Sequence, residues 1–257
     1  MLKNLVTLIT GGASGLGLGT VERFVRKGAK VILCDLPSSN GKEVAESLGP
    51  NVQFSPADIR SQNEIKNMMD NIEKQYGQLN VVVNCAGIAN AFIVYNFLEQ
   101  RPCRMDHFQN VLQTNLIGTY NVICEATKLI GKNQPNSDGF RGVIVNTAGT
   151  EGTRGQSGQA AVSAASNGII CMTKSLAEQR KELGIRVVTI SPGLIRTPLN
   201  DYFPPDVEEA LETTCFFGPH RMGEPDEFAH MVQTVVLSPH INGTNINFTG
   251  GLHITHK

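Results

Sequence analysis

The sequence predicts an α/β fold, a single domain over residues 1–257 built on one seven-stranded parallel sheet with helices on both faces. Short β-branched runs alternate in strict order with longer runs of helical apolar spacing. The strand runs are apolar almost without interruption, the pattern of strands buried on both faces. No linker-like composition shift and no internal repeat interrupts the 257 residues. Strict alternation implies right-handed crossovers between neighbouring strands.

Leu5-Val6-Thr7-Leu8-Ile9-Thr10 reads as the first strand, closed by glycines. Residues 15–27 follow as a helix with Leu16, Leu18, Val21, Phe24 and Val25 near helical spacing, and Gly28 stops it. The second strand, 30–35, ends on Asp35. Further strands are expected at 52–57, 79–84, 143–147, 185–191 and 245–249, and further helices at 41–48, 62–76, 105–129, 160–183 and 226–237. Two connections, 86–104 and 193–223, are longer than the alternation needs. Both leave carboxyl ends of parallel strands, where open sheets bind ligands, so they are candidate walls of a substrate cleft.

Composition narrows the function classes. Charged residues make up 18% of the chain, and 22 basic against 23 acidic residues leave a net charge of −1. Nothing in that distribution forms a basic face for nucleic acid or anionic lipid. The uncharged run 75–98 contains Asn80, Asn84, Asn90 and Asn96 and is not a lipid-facing span. Six scattered cysteines without CxxC read as reduced thiols of an intracellular protein. Without a secretory signal, the sequons at Asn242 and Asn247 are not expected to carry glycans. The six histidines lack metal-ligand spacing, so no metal site is expected. Residues 1–8 lead straight into the first strand, so no presequence is expected.

Between the first strand and first helix lies Thr10-Gly11-Gly12-Ala13-Ser14-Gly15-Leu16-Gly17. Gly11, Gly15 and Gly17 permit a tight turn and close approach of backbone to a pyrophosphate at the helix's positive end, with Ser14 and Leu16 beside it. Asp35 stands 18 residues after Gly17. A carboxylate there accepts hydrogen bonds from a ribose diol and repels a 2′-phosphate, which favours NAD. The combination is that of a dinucleotide-binding Rossmann fold.

From residue 2 to about 252 the pattern resembles the short-chain dehydrogenase/reductase family. The resemblance implies that Asp58 and Ile59 flank the adenine and that Cys85, Ala86 and Gly87 lie in the adenine-side turn after Asn84. It also implies that Pro192, Gly193, Ile195 and Thr197 form the nicotinamide-side turn. The stretches GGASGLGL, CDLPSS, VNCAGIA, FRGVIVNTA and ISPGLIRTPL are similar to the subgroup acting on 3-hydroxyacyl-CoA and 17β-hydroxysteroids. That likeness implies an acyl-CoA or steroid ligand, a homodimer or homotetramer, and a mitochondrial location, with the cytoplasm as the alternative. It also implies protein partners in mitochondrial RNA processing.

The family's catalysis uses an asparagine, a serine, a tyrosine, and a lysine four residues after the tyrosine. Asn115 matches the asparagine. The segment 155–161 with Gly168 and Ile169 sets the helix register, which puts Val162 at the tyrosine position and Ser166 at the lysine position. Counting back thirteen residues from Val162 puts Gly149 at the serine position. Valine carries no proton, and a serine brings no cation to lower a neighbour's pKa. The expectation is therefore impaired turnover and a role as scaffold, cofactor sensor or subunit; the alternative is an active NAD-dependent oxidoreductase with an unrecognised proton donor.

Four lesser readings complete the survey. Ser163 reads as a packing residue. The uncharged stretch 159–173 reads as a helix buried all round, across a dimer axis or under a loop of the same chain. Phe203, Phe216 and Phe217 are candidates for an apolar lid or for core packing. Arg101 and Arg104 either meet an anionic group such as a CoA phosphate or form exposed charge pairs.

Overall fold

The computed structural model describes residues 2–200, 205–214 and 216–252. In chain order the elements open with β1 (Val6–Thr10), α1 (Gly15–Arg26), β2 (Lys30–Asp35), α2 (Gly41–Leu48), β3 (Val52–Pro56), α3 (Gln62–Tyr76) and β4 (Val81–Asn84). A two-stranded hairpin, β5 (Tyr95–Asn96) and β6 (Arg101–Pro102), precedes α4 (Met105–Val111), a π-helical stretch (Leu112–Gly118) and α5 (Thr119–Ile130). Then come β7 (Gly142–Thr147), α6 (Glu151–Arg154), α7 (Ala160–Gln179), β8 (Ile185–Pro192), α8 (Pro205–Thr214), α9 (Pro225–Leu237) and β9 (Asn245–Phe248).

Seven strands form one parallel sheet in the order β3-β2-β1-β4-β7-β8-β9. Successive strand side chains point to opposite faces, so each strand feeds two cores. Val6, Leu8, Ile32, Val82 and Ile144 meet Ile65, Met68 and Ile72 of α3 and Ile123, Leu129 and Ile130 of α5. Ile9, Val31, Val83 and Val145 meet Val21 and Phe24 of α1 and Phe228, Val232 and Val235 of α9. Phe24 and Phe228 are fully buried, and truncating either to Ala would cost about 3–5 kcal/mol.

Local chemistry sets the helix ends. The Ser61 hydroxyl accepts from the Glu64 amide at 3.4 Å, and Gly77 ends α3 at φ +67°. The α9 helix opens on a capping box of Glu224 and Glu227 with Pro at its start. Its other end is closed by Arg186 of β8, a buried guanidinium donating to the carbonyls of Val235, Val236, Ser238 and Ile241 at 2.8–3.2 Å. Burial pushes the Arg186 pKa down. The carbonyl cluster compensates for that burial with charge-assisted bonds.

The structure corrects several sequence expectations. The helix expected over 105–129 is interrupted by the π-helical stretch Leu112–Gly118, a distortion associated with functional sites. The helix expected over 160–183 ends at Gln179, and a 3₁₀ turn spans Lys181–Leu183. The connection 86–104 contains a hairpin, and 193–223 contains α8; the weak apolar periodicity of both segments concealed these elements. The α7 helix is not buried all round within the chain, since Ala164, Asn167 and Cys171 are exposed along one side. Small uncharged residues on that side permit burial without requiring it. No described helix is long and apolar enough to cross a membrane.

Candidate functional site

The strand order reverses between β1 and β4, so the connections after these strands leave in opposite directions and open a crevice at the carboxyl ends. A cavity of about 600 Å³ lies there, lined by Gly11, Ser14, Gly15, Leu16, Gly17, Asp35, Asp58 and Ile59, among others. The glycine requirement is steric. Gly11 sits at φ +65°, and a Cβ there would stand 2.7 Å from the Ala86 backbone. A Cβ on Gly17 would lie 2.0 Å from the Gly11 carbonyl oxygen. The loop thus holds bare backbone against the first turn of α1, a cradle whose positive helix end suits a pyrophosphate.

Asp35 is tied into that loop. Its carboxylate accepts from the Ala13 amide at 3.0 Å and the Leu36 amide at 2.8 Å while lining the cavity. On the far wall Arg60 donates to Asp58, in an ion pair of 2.6 Å, and reaches Asn110 at 3.1 Å. The guanidinium's hydrogen bonds hold the Asp58 carboxyl below its ordinary range. Ile59 is 6% exposed and packs where a Gly118 Cβ would otherwise stand, 2.7 Å from its Cδ1. Arg60 and Asn110 were not singled out in the sequence; a loop arginine carries no pattern that marks it. The Cys85 thiol is pushed up to about 12, chiefly by burial, and accepts from the Thr147 hydroxyl at 3.6 Å.

A second cavity of about 200 Å³ is continuous with the first, sharing Leu16, Cys85, Ala86, Gly87, Thr197 and other residues. It brings together Asn115, Gly149, Val162 and Ser166 with Pro192, Gly193, Ile195 and Thr197. Every site residue expected from the sequence therefore lines one of the two cavities. Asn115 lies in the π-helical stretch, and its amide clamps the start of the 86–104 connection. Nδ2 donates to the Ile88 carbonyl at 2.8 Å, and Oδ1 accepts from the Ile88 amide at 2.9 Å.

Glu151 is the functional candidate that the sequence concealed. It opens α6, whose backbone packs so closely on α7 that a Cβ on Gly152 would stand 2.7 Å from the Asn167 amide nitrogen. Asn167 Nδ2 donates to the Gly152 carbonyl at 2.7 Å and fixes the two elements together. The result puts Glu151 Oε2 only 2.1 Å from the point a Cβ on Gly149 would occupy, with Ser166 Oγ at 3.8 Å from the same point. A carboxylate fills the space of the expected serine side chain. Among the described residues, no Lys, Arg or His lines this cavity. In the sequence Glu151 is one acidic residue in a turn, and only the fold-back of α6 marks it.

The remaining candidates lie elsewhere. Arg101 pairs with Glu99 and Arg104 with Asp106, all exposed, which is the charge-pair reading of that cluster. Phe216 is buried with Met222 and Leu252, whereas Phe217 is exposed, so neither closes over the cavities as a lid; Phe203 lies outside the described residues. Ser163 Oγ is buried without a hydrogen-bond partner and lines neither cavity, as a packing residue does.

The profile of the family described as short chain dehydrogenase matches residues 5–208. A 3-hydroxyacyl-CoA dehydrogenase type-2 from Drosophila melanogaster is 45% identical over 254 residues, covering 99% of both chains. One from Homo sapiens is 44% identical over 98% of this chain and 97% of its own. A crystal structure of 3-hydroxyacyl-CoA dehydrogenase type-2 from Mycobacterium avium superposes with a TM-score of 0.91 at 31% identity, covering 99% of this chain and 97% of that one. Fold, cleft and likeness agree, and the chain belongs to the short chain dehydrogenase family.

Proposed function

We propose that this chain binds NAD across the two cavities but does not oxidise 3-hydroxyacyl-CoA or hydroxysteroid alcohols at the family's ordinary rate. It serves instead as a scaffold or subunit whose binding matters more than its turnover. The carrying observation is that Val162 and Ser166 line the second cavity where the resemblance calls for a phenol and an ammonium. Alcohol oxidation needs a group that takes the hydroxyl proton as hydride leaves, and a positioned acid/base is worth about 10²–10⁴-fold. An isopropyl group cannot supply it. The retained glycine cradle and Asp35 support the cofactor half of the reading, and the names of the relatives supply the substrate class. The test is steady-state assay of the purified chain with NAD and a 3-hydroxyacyl-CoA, beside calorimetric titration of NAD. Binding without turnover is expected; turnover near that of a relative with all four family residues would overturn the reading.

A second reading, an active NAD-dependent oxidoreductase, is favoured by one observation: Glu151 is the single carboxylate among the described residues that line the second cavity. Under that reading substitution to Gln would abolish turnover. By the same likeness, the proposed assembly is a homodimer or homotetramer, with the exposed side of α7 as its candidate face. The proposed compartment is the mitochondrion, with partners in RNA processing; sedimentation, imaging and co-purification test these in turn.

A further inference from the structure

The second cavity differs in charge, and not only in chemistry, from the arrangement the resemblance implies. Serine at 166 withdraws the cation of the expected lysine, and Glu151 adds an anion. Glu151 Oε2 and Ser166 Oγ lie 2.1 and 3.8 Å from one point, so they are within about 6 Å of each other. Among the described residues no hydrogen bond or ion pair engages the Glu151 carboxylate, and no cationic side chain lines the cavity. Gln159 Oε1, a second acceptor in this cavity, is buried without a donor. Leu16, Val162, Ile169 and Ile195 supply apolar wall, which weakens solvent screening. A carboxylate in such a place is free to meet a cation or donor from a ligand.

Under the NAD reading the glycine cradle at 11–17 would hold the middle of a dinucleotide, with Asp35 and Asp58 on its adenine side. Thr197, shared by both cavities, and Gly193 of the second would then hold the other half. The two redox forms of that half differ by one charge, because the oxidised nicotinamide ring is a cation and the reduced ring is neutral. We propose that Glu151 makes this cleft selective for the oxidised cofactor, its carboxylate favouring NAD⁺ over NADH. The inference rests on the NAD reading above and converts a disabled catalytic pocket into a sensor of cofactor redox state.

Calorimetric titrations of the full chain with ADP-ribose, NAD⁺ and NADH test it. ADP-ribose lacks the nicotinamide and reports the adenine half alone. For two charges separated by a partly screened cleft, NAD⁺ is expected to bind on the order of tenfold more tightly than NADH. E151Q, nearly identical in shape, should bring that ratio close to one while leaving ADP-ribose affinity unchanged. Gly149→Ser keeps the charge of the chain but claims the space of Oε2, so it should reduce the preference as well. Equal affinities for NAD⁺ and NADH in the wild-type chain, with ADP-ribose bound, would overturn the inference alone. An E151Q ratio equal to wild type, in a protein with an unchanged melting curve, would do the same. Silence toward all three ligands would overturn the cofactor reading and this inference with it.

Discussion

The two cavities of one cleft rest on different kinds of residue. The first depends on missing side chains: Gly11 and Gly17 work because nothing projects from them, and Ala86 and Gly11 approach as bare backbone. The second, under the proposed reading, would depend on side chains that carry protons, at the positions that Gly149, Val162 and Ser166 hold. Replacing a functional side chain in a cleft leaves strands and helices untouched, whereas adding a Cβ to the cradle drives it into backbone. Binding geometry therefore persists with the fold, and chemistry can be lost without disturbing it.

Restoring the side-chain half gives the largest effect. A variant combining Gly149→Ser, Glu151→Ala, Val162→Tyr and Ser166→Lys is expected to gain about 10²–10⁴-fold in NAD-linked oxidation of a 3-hydroxyacyl-CoA. Glu151 is truncated as well because its Oε2 stands 2.1 Å from the new Cβ and would have to swing aside. The same three restorations with Glu151 retained should gain far less. If the fourfold variant stays as inactive as the parent, the second cavity has changed beyond these positions and the contrast between the two halves needs redrawing.

Damage to the backbone half comes next. Gly17→Val inserts atoms where 2.0 Å separates an added Cβ from the Gly11 oxygen. Overpacking of this kind costs about 1–3 kcal/mol. The melting temperature should fall by several degrees, and titration with ADP-ribose should lose its heat signal. Asp35→Ala is milder. It removes the acceptor for the Ala13 and Leu36 amides together with the ribose partner. Hydrogen bonds to a charged group are worth about 1.5–3 kcal/mol, so ADP-ribose affinity should fall at least about tenfold. An unchanged affinity would remove Asp35 from the binding site.

The same contrast explains what was legible in the sequence. Strands β1, β2 and β8 announce themselves because two-sided burial demands unbroken apolar runs, and the cradle announces itself because its glycines lie between a strand and a helix with Asp35 ending the next strand. The cavity positions of Val162 and Ser166 were legible through the register that residues 155–161 set on α7. Glu151 was not, because its position depends on a four-residue helix packed on α7 through Gly152 and Asn167. The hairpin at Tyr95–Pro102 and helix α8 escaped for a related reason. Each is short, with exposed apolar side chains such as Phe97 and Val207 breaking the usual inward pattern.

The smallest effect sharpens the first cavity's wall. Arg60 depresses the Asp58 pKa chiefly by hydrogen bonding to the carboxylate, which puts it below the ordinary 3.8. Because the folded value is lowered, the pair stabilises the protein at any pH above the ordinary value. That contribution fades only as pH falls through the folded value, where Asp58 takes up its proton. Both side chains are partly exposed, with 44% and 23% accessibility, so solvent screening keeps the contribution below about 1 kcal/mol. Arg60→Ala should therefore lower stability by a constant small amount from neutral pH down to about pH 4, and the difference should vanish under stronger acid. Denaturant melts across that range, with the Asp58 carboxyl followed by NMR, measure both parts. A difference that persists at pH 2 would mean that Arg60 acts through its bond to Asn110, 3.1 Å away, and not through the carboxylate.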